Sequence, residues 1–310
     1  MPTALLGLAH YLPTDQQVGG VRRPIATDAV GPSDLALHAA PRALAQAGSQ
    51  VSDLDLVMFS TMTPDVTFPG AACFFQHKLE GGTVAALDVR GQCAGFLMGL
   101  MIADSYLSAG IYRRILLAGG EVHSSGLDYS AAGLPIAELY GDGAAVAVLS
   151  MADGPGLESV VCHSDGRHHE RFWIEYPSSR QHPLRITVEN LRAGLQYPRI
   201  DREQVAAFAA EHLPAVVREA VDKAATTLDG IDAFILSHAL PGVAARAAAD
   251  LGLASSRVID AGAAHGHLTA ATLPVALSEA LASGRLAAGA RVCMATCGAG
   301  YAWGAAVLKL

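Results

Sequence analysis

Charge is scarce in this chain. Asp, Glu, Lys and Arg make up 16% of its 310 residues, and hydrophobic residues make up 51%. That balance leaves enough apolar surface to offset chain entropy, which excludes intrinsic disorder. So few charges also imply that part of the exterior is covered in an oligomer. Aromatic residues are sparse, at 6%, against 32 glycines, so closely spaced layers of Ala, Gly, Val and Leu are expected. A basic excess is missing too. The net charge is −8, which argues against nonspecific nucleic-acid binding. No apolar run reaches membrane-spanning length without a Gly or a charge. Met1-Pro2-Thr3 opens without a basic segment, and Ala4 to Ala9 is too short for the apolar part of a signal peptide. Five cysteines, Cys73, Cys93, Cys162, Cys293 and Cys297, form an odd, widely spaced set. Cys293 and Cys297 have no second pair and no nearby His to complete a zinc pattern. His163, His168, His169 and His182, with Asp165, match no strong metal-ligand spacing. The expectations are a reducing, cytoplasmic setting, no membrane partner and no metal.

What is present is an alternation of strand and helix signals. Apolar runs predict strands at Ala4–Leu12, Asp55–Ser60, Val84–Val89 (buried), Arg114–Gly119 and Ala144–Leu149. Between them, Thr14–Pro32 reads as a loop, Leu35–Ala47 as a helix capped by Ser33-Asp34, and Pro69–Leu79 and Ala94–Leu107 as helices. After Met151 the pattern restarts, with strands at Gly156–His163, Ala233–Ser237, Arg291–Thr296 and Ala302–Leu308. Helices are expected over Arg202–Leu228, kinked or divided at Pro214, over Gly242–Leu251, and over Thr269–Ser283, distorted at Pro274. His168–Tyr197 is polar and carries no clear period. The order implies an α/β chain. An internal echo, Ile115-Leu-Leu-Ala-Gly-Gly before Gly143-Ala-Ala-Val and Val292-Cys-Met-Ala-Thr-Cys before Gly304-Ala-Ala-Val, implies two related halves, 1–150 and 151–310.

Cys93 stands between the Val84–Val89 strand and the next helix. Backbone N–H groups and the helix dipole at such a start favour an anion, an environment that lowers a thiol pKa. A small buried hydrophobe is the equal alternative on position alone. A nucleophilic thiol needs a base from elsewhere in the chain. His238 follows the Ala233–Ser237 strand, and His265 and His267 lie in the Gly-rich loop Gly262–Thr269. Strand ends and helix starts are where open α/β sheets bind ligands. A papain-like hydrolase could use the Cys93–His238 spacing, but the residues around Cys93 lack that signature.

Four motifs, spread over nearly the whole chain, bring in a family. They are Phe68-Pro69-x-Ala71-Ala72-Cys73, Asp88-Val89-x-x-x-Cys93-Ala94-Gly95-Phe96, Gly141-Asp142-Gly143-Ala144 and Gly298-Ala299-Gly300-Tyr301-Ala302-Trp303-Gly304. Together and in this order they resemble a β-ketoacyl-acyl-carrier-protein synthase III, a condensing enzyme of the thiolase superfamily. The resemblance implies a thiolase fold with five αβαβα layers. It implies that Cys93 is the acylated nucleophile, that His238 is the first family histidine, and that the backbone N–H groups of Cys93 and Ala299 form the oxyanion hole. Phe68 matches a residue that a dimer partner contributes to the acyl pocket, so a homodimer is implied, with an acyl carrier protein as partner. No cofactor is implied beyond the acyl-CoA or carrier-protein thioester substrates.

Three departures accompany the resemblance. The family's Gly-Asn-Thr-Ser-Ala-Ala stands here as Gly266-His267-Leu268-Thr269-Ala270-Ala271, so His267 replaces the catalytic Asn. A Cys-His-His set resembles that of the elongating synthases. The family's His-Gln-Ala-Asn is His238-Ala239-Leu240-Pro241. The Trp and Arg-Thr-Gly-Ile segment that grips CoA adenine is replaced by Val21-Arg22-Arg23-Pro24-Ile25. The leading function is acyl transfer to Cys93 followed by decarboxylative Claisen condensation with a malonyl-type thioester, in fatty-acid, polyketide or other secondary-metabolite biosynthesis. The second is an acyltransferase passing the acyl group from Cys93 to a hydroxyl or amine. A third, non-catalytic partner subunit sits poorly with an intact Cys93 and His238.

Overall fold

The computed structural model describes residues 1–310. The first part of the chain runs β1 (Thr3–Tyr11), a hairpin of β2 (Asp15–Val18) and β3 (Val21–Pro24), α1 (Pro32–Gln46), β4 (Leu56–Ser60), α2 (Ala71–Lys78), β5 (Ala85–Val89), α3 (Gly95–Ser108), β6 (Arg114–Glu121), α4 (Leu134–Ala137) and β7 (Gly143–Met151). It continues as β8 (Leu157–Ser164), β9 (Phe172–Trp173), α5 (Val188–Arg192), β10 (Arg199–Ile200), α6 (Arg202–Lys223), β11 (Ala233–Ser237), α7 (Val243–Asp250), β12 (Val258–Asp260), α8 (Thr272–Ala282), β13 (Arg291–Gly298) and β14 (Ala302–Lys309). No helix is long and apolar enough to cross a membrane.

Two five-stranded mixed sheets carry the molecule, ordered β1-β7-β6-β4-β5 and β12-β11-β13-β14-β8. In the first, β4 is parallel to β5 and β6, whereas β7 is antiparallel to β6 and β1. In the second, β11 is parallel to β12 and β13, whereas β14 is antiparallel to β13 and β8. Between the sheets lie α3 and α8. Phe96, Leu97, Leu100, Leu273 and Leu277 pack there against Met58 and Leu117 of one sheet and Ile235 and Met294 of the other. Helices α1 and α2 cover the outer face of the first sheet, and α6 and α7 that of the second. The layers therefore run αβαβα, the thiolase arrangement. A strand covered on both faces needs a continuous apolar run, which is why β6 and β7 read so plainly.

The sparse aromatics and many small residues serve close approach. Ala36, Ala39, Ala40 and Ala43 recur at helical spacing and are fully buried. Opposite them, a Cβ on Gly7 of β1 would lie 2.1 Å from the Ala43 carbonyl oxygen.

Five local expectations are corrected. β5 was expected to be buried, but Ala85, Ala86 and Asp88 are exposed, because β5 is the sheet edge with β4 on one side only. The expected loop Thr14–Pro32 contains the β2–β3 hairpin, which pairs polar residues that carry no apolar signal. Helix α6 passes undivided through Pro214 and ends at Lys223. Pro274 is the third residue of α8, where a missing N–H leaves no intrahelical bond unmade, so it causes no break. Helix α1 also starts earlier than read. Gly31 is its N-cap, with its N–H bonded to Asp34 Oδ2 at 2.9 Å, while Ser33 is buried against Asp65.

Candidate active site

The C-terminal end of β5 leads through a tight turn, Gln92–Ala94, into α3. Cys93 sits in that turn, 3% exposed. The Gly-rich turn after β13 closes over it. A Cβ at Gly298 would lie 2.2 Å from Cys93 Sγ, so no larger residue fits beside the sulfur. The backbone N–H groups of Ala299 and of Cys93 itself are directed at the sulfur. Two turns here hold non-glycine residues in the left-handed region, Gln92 (φ 47°) next to Cys93 and Thr269 (φ 45°) two residues after His267. Strain of this kind costs about 1–3 kcal/mol and persists where surrounding packing enforces it.

His267 reaches the sulfur from the other half of the chain, with Nε2 3.1 Å from Sγ. Its backbone is pinned by an N–H bond to the Leu139 carbonyl at 2.7 Å. Its Nδ1 is 3.4 Å from both Ser237 Oγ and Thr272 Oγ1. His238 follows β11 and is also buried. Its Nδ1 accepts the Leu240 N–H at 3.0 Å, so in the neutral ring the proton resides on Nε2, which is sealed and has no partner. His265 is elsewhere, paired with Glu279 Oε1 at 2.7 Å.

The electrostatics differ from the sequence expectation. The helix start was expected to lower the thiol pKa. Burial instead pushes the Cys93 thiol up to about 12, offset in part by the Ala299 N–H. Burial also pushes His238 down to about 4, and it holds His267 well below the usual imidazole range, aided by His238 and His123 nearby. At neutral pH the resting site is a thiol among neutral imidazoles. Desolvation outweighs the helix start because no cation faces the sulfur.

Cys93 opens onto a cavity of about 680 Å³ that Gln92, Thr63, His123, Thr269 and Ala299 also line. His238 and His267 are buried and do not line it. The segment His168–Tyr197 that the sequence left unread forms the opposite side, with Phe172, Trp173 and Tyr176 facing the cavity. Phe68 does not line the cavity of its own chain and is 89% exposed beside the β5 edge.

Sequence reasoning missed Glu121, His123, Tyr140 and Thr269. Glu121 is fully buried and accepts from Thr63 Oγ1 at 2.6 Å, Thr61 Oγ1 at 3.1 Å and the Met62 N–H at 3.1 Å. Burial pushes its carboxyl up to about 7. The signal was available, because Glu121 and His123 sit at and just past the end of the apolar β6 run, at the same sheet edge as Cys93.

Residues 87–166 match the family model for 3-oxoacyl-[acyl-carrier-protein] synthase III, and residues 221–310 match the model for its C-terminal part. The chain is 33% identical over 294 residues to a β-ketoacyl-[acyl-carrier-protein] synthase III of Methylococcus capsulatus, covering 95% of this chain and 88% of that protein. Among solved structures it resembles the 3-oxoacyl-(acyl carrier protein) synthase III of Pseudomonas aeruginosa, with 28% identity, a TM-score of 0.88, and 100% and 98% of the two chains covered. The priming β-ketosynthase of the R1128 polyketide pathway is similar at 25% identity and a TM-score of 0.88, with 100% and 96% covered.

Proposed function

This chain belongs to the 3-oxoacyl-[acyl-carrier-protein] synthase III family, and from that premise we propose how its own residues carry out the condensation. An acyl thioester enters the cavity and is attacked by Cys93. As the S–C bond forms, the thiol proton passes to His267 Nε2, the base in contact with the sulfur. The developing oxyanion is held by the N–H groups of Cys93 and Ala299; a donor so placed is worth about 2.7–4 kcal/mol in the transition state. The pantetheine thiol leaves with a proton from His267.

A malonyl-type thioester then loses carbon dioxide, and its enolate attacks the acyl carbon on Cys93; the adduct collapses with cleavage of the C–S bond, releasing the β-keto thioester and a Cys93 thiolate that takes up a proton to restore the thiol. The Nε2–H of His238, fixed as a donor by the Leu240 bond and freed from its sealed position as the substrate seats, stabilises the enolate oxygen, while His267 Nε2, again without its proton, stays the base beside the sulfur. His267 here stands where the family has Asn. Neutral rings suit this role, since a protonated imidazole next to the thiol would weaken the base. Arg22 donates to the Asp15 carbonyl, and Arg23 to the Glu138 and Arg22 carbonyls, so both guanidinium groups are engaged within the chain. That arrangement favours a donor recognised through a carrier protein over one gripped by its adenine. The exposed β5 edge and Phe68 favour a second copy of the chain as their cover.

The observation that carries the reading is the 3.1 Å approach of His267 Nε2 to a buried Cys93 Sγ lying under two N–H donors. Its test offers acyl and malonyl thioesters, on CoA and on a carrier protein, and follows Cys93 by intact mass. Acylation of Cys93, release of carbon dioxide and a β-keto product are expected. An ester or amide formed from acyl-Cys93 without carbon dioxide would replace condensation by acyl transfer to oxygen or nitrogen. No adduct on Cys93 with any donor would overturn both.

A further inference from the structure

Fewer than half of the residues around the Cys93 cavity are hydrophobic, 11 of 28. A wall that only receives an alkyl chain gains nothing from polar groups left without water. His123 is the clearest of these groups. It lies just past β6, lines the cavity and is 6% exposed. Its Nε2 is 2.7 Å from Thr269 Oγ1, and Thr269 lines the same cavity. Its Nδ1 has no hydrogen-bond partner in the chain and, unlike His238 Nε2, is not sealed among protein atoms. The ring is held in place. The His123 N–H bonds Asp142 Oδ1 at 2.7 Å, and the imidazole packs on Tyr140 with centroids 4.7 Å apart.

We propose that His123 and Thr269 form a polar recognition point in the acyl cavity, and that the preferred acyl group carries a hydroxyl on its chain. This rests on the reading of Cys93 as the acylated nucleophile. Burial pushes His123 down to about 3, so the ring is neutral and offers one donor and one acceptor. Thr269 can fill either role at Nε2. If its hydroxyl donates there, Nδ1 bears the proton and donates into the cavity. If its hydroxyl accepts, Nδ1 accepts from the cavity. A hydroxyl on the acyl chain satisfies either case. A carbonyl oxygen satisfies only the first. An alkyl chain satisfies neither and leaves a desolvated nitrogen unpaired. A site built to bond a substrate hydroxyl discriminates against the analogue lacking it.

The test uses N-acetylcysteamine thioesters of butyrate and octanoate, each plain and hydroxylated at C2, C3 or C4. Single-turnover acylation of Cys93 is followed by intact mass in the wild type, His123→Leu and His123→Asn. One hydroxylated isomer should acylate the wild type about tenfold faster than its plain parent. His123→Leu should bring that ratio to about one or invert it, and His123→Asn, which keeps a donor and an acceptor, should retain part of it. A wild type that takes plain and hydroxylated chains equally would overturn the proposal. So would a His123→Leu variant with an unchanged ratio, which would leave the Thr269 bond a purely structural role. Failure of Cys93 to accept any thioester would instead overturn the nucleophile reading beneath it, and the recognition point with it.

Discussion

Alkylation of Cys93 by iodoacetamide should rise tenfold per pH unit from pH 6 to pH 10 with no plateau. The reagent reacts with thiolate, so its rate follows the ionised fraction. Burial raises the thiol from 9.0 to about 12. Three units correspond to about a thousandfold less thiolate at pH 7 than an unburied thiol would have. The uncharged form is favoured on both sides of the dyad, a protonated thiol and a deprotonated imidazole, because His267 is held well below the usual imidazole range by the same desolvation. A thiolate–imidazolium pair would behave oppositely, with a plateau extending down to the pH at which the pair forms. The assay is peptide-resolved mass spectrometry after timed alkylation, with the exposed Cys73 as the solvent-accessible thiol in the same chain. Thioester acylation of Cys93, measured in parallel, should be fast at pH 7, because proton transfer to His267 accompanies attack. A plateau in the alkylation rate below pH 8 would refute the argument that desolvation, with no facing cation, sets the state of this sulfur.

Other perturbations follow from the same geometry. Gly298→Ala places a Cβ 2.2 Å from Sγ and displaces the Ala299 N–H, so acylation should fall by at least about 100-fold; an unaffected rate would remove Ala299 from the oxyanion hole. Glu121 is protonated more readily folded (about 7) than unfolded (4.5), so its contribution is full below pH 4.5 and declines by about 3 kcal/mol as pH rises through 7. The stability of the wild type relative to Glu121→Gln in urea should therefore fall from pH 5 to pH 8; a constant difference would contradict it. Phe68→Asp puts a charge on a residue that is 89% exposed at the β5 edge, and light scattering should show a dimeric wild type and a monomeric variant. A monomeric wild type would remove the second copy from the mechanism.

The fold was legible where burial on two faces forces apolar runs, as in β6, β7, β11 and β13, and where small residues repeat at helical spacing, as in α1. It was illegible where pairing is polar or short. The β2–β3 hairpin and the three-residue β12 carry no period to detect. β5 misled because this edge strand has the apolar composition of a central one. In the site, Cys93, His238 and His267 could be picked out by chemistry and motif order. Glu121 and His123 carried only the weaker signal of their place at the end of the apolar β6 run, because no single spacing links them to Cys93; the fold brings the end of β6 beside the turn before α3. The thiol's ionisation was misjudged for a related reason. A helix start is visible in one dimension, but complete burial beneath the Gly298 turn is a property of three.

The position of α3 between the two sheets has a kinetic meaning. Its N-terminal turns, with Gly95, Phe96, Leu97, Gly99 and Leu100 buried between strands, can meet solvent only when the sandwich itself opens, so their amides should be among the last to exchange hydrogen for deuterium. The facing wall, around Ile174 to Leu191, carries exposed apolar side chains and short elements, and its amides should exchange early. The sulfur is thus anchored in the slowest-opening part of the molecule, while traffic into its cavity is governed by the fastest. Deuterium uptake that separates these two segments would place substrate admission on one face and leave the reacting atoms at rest.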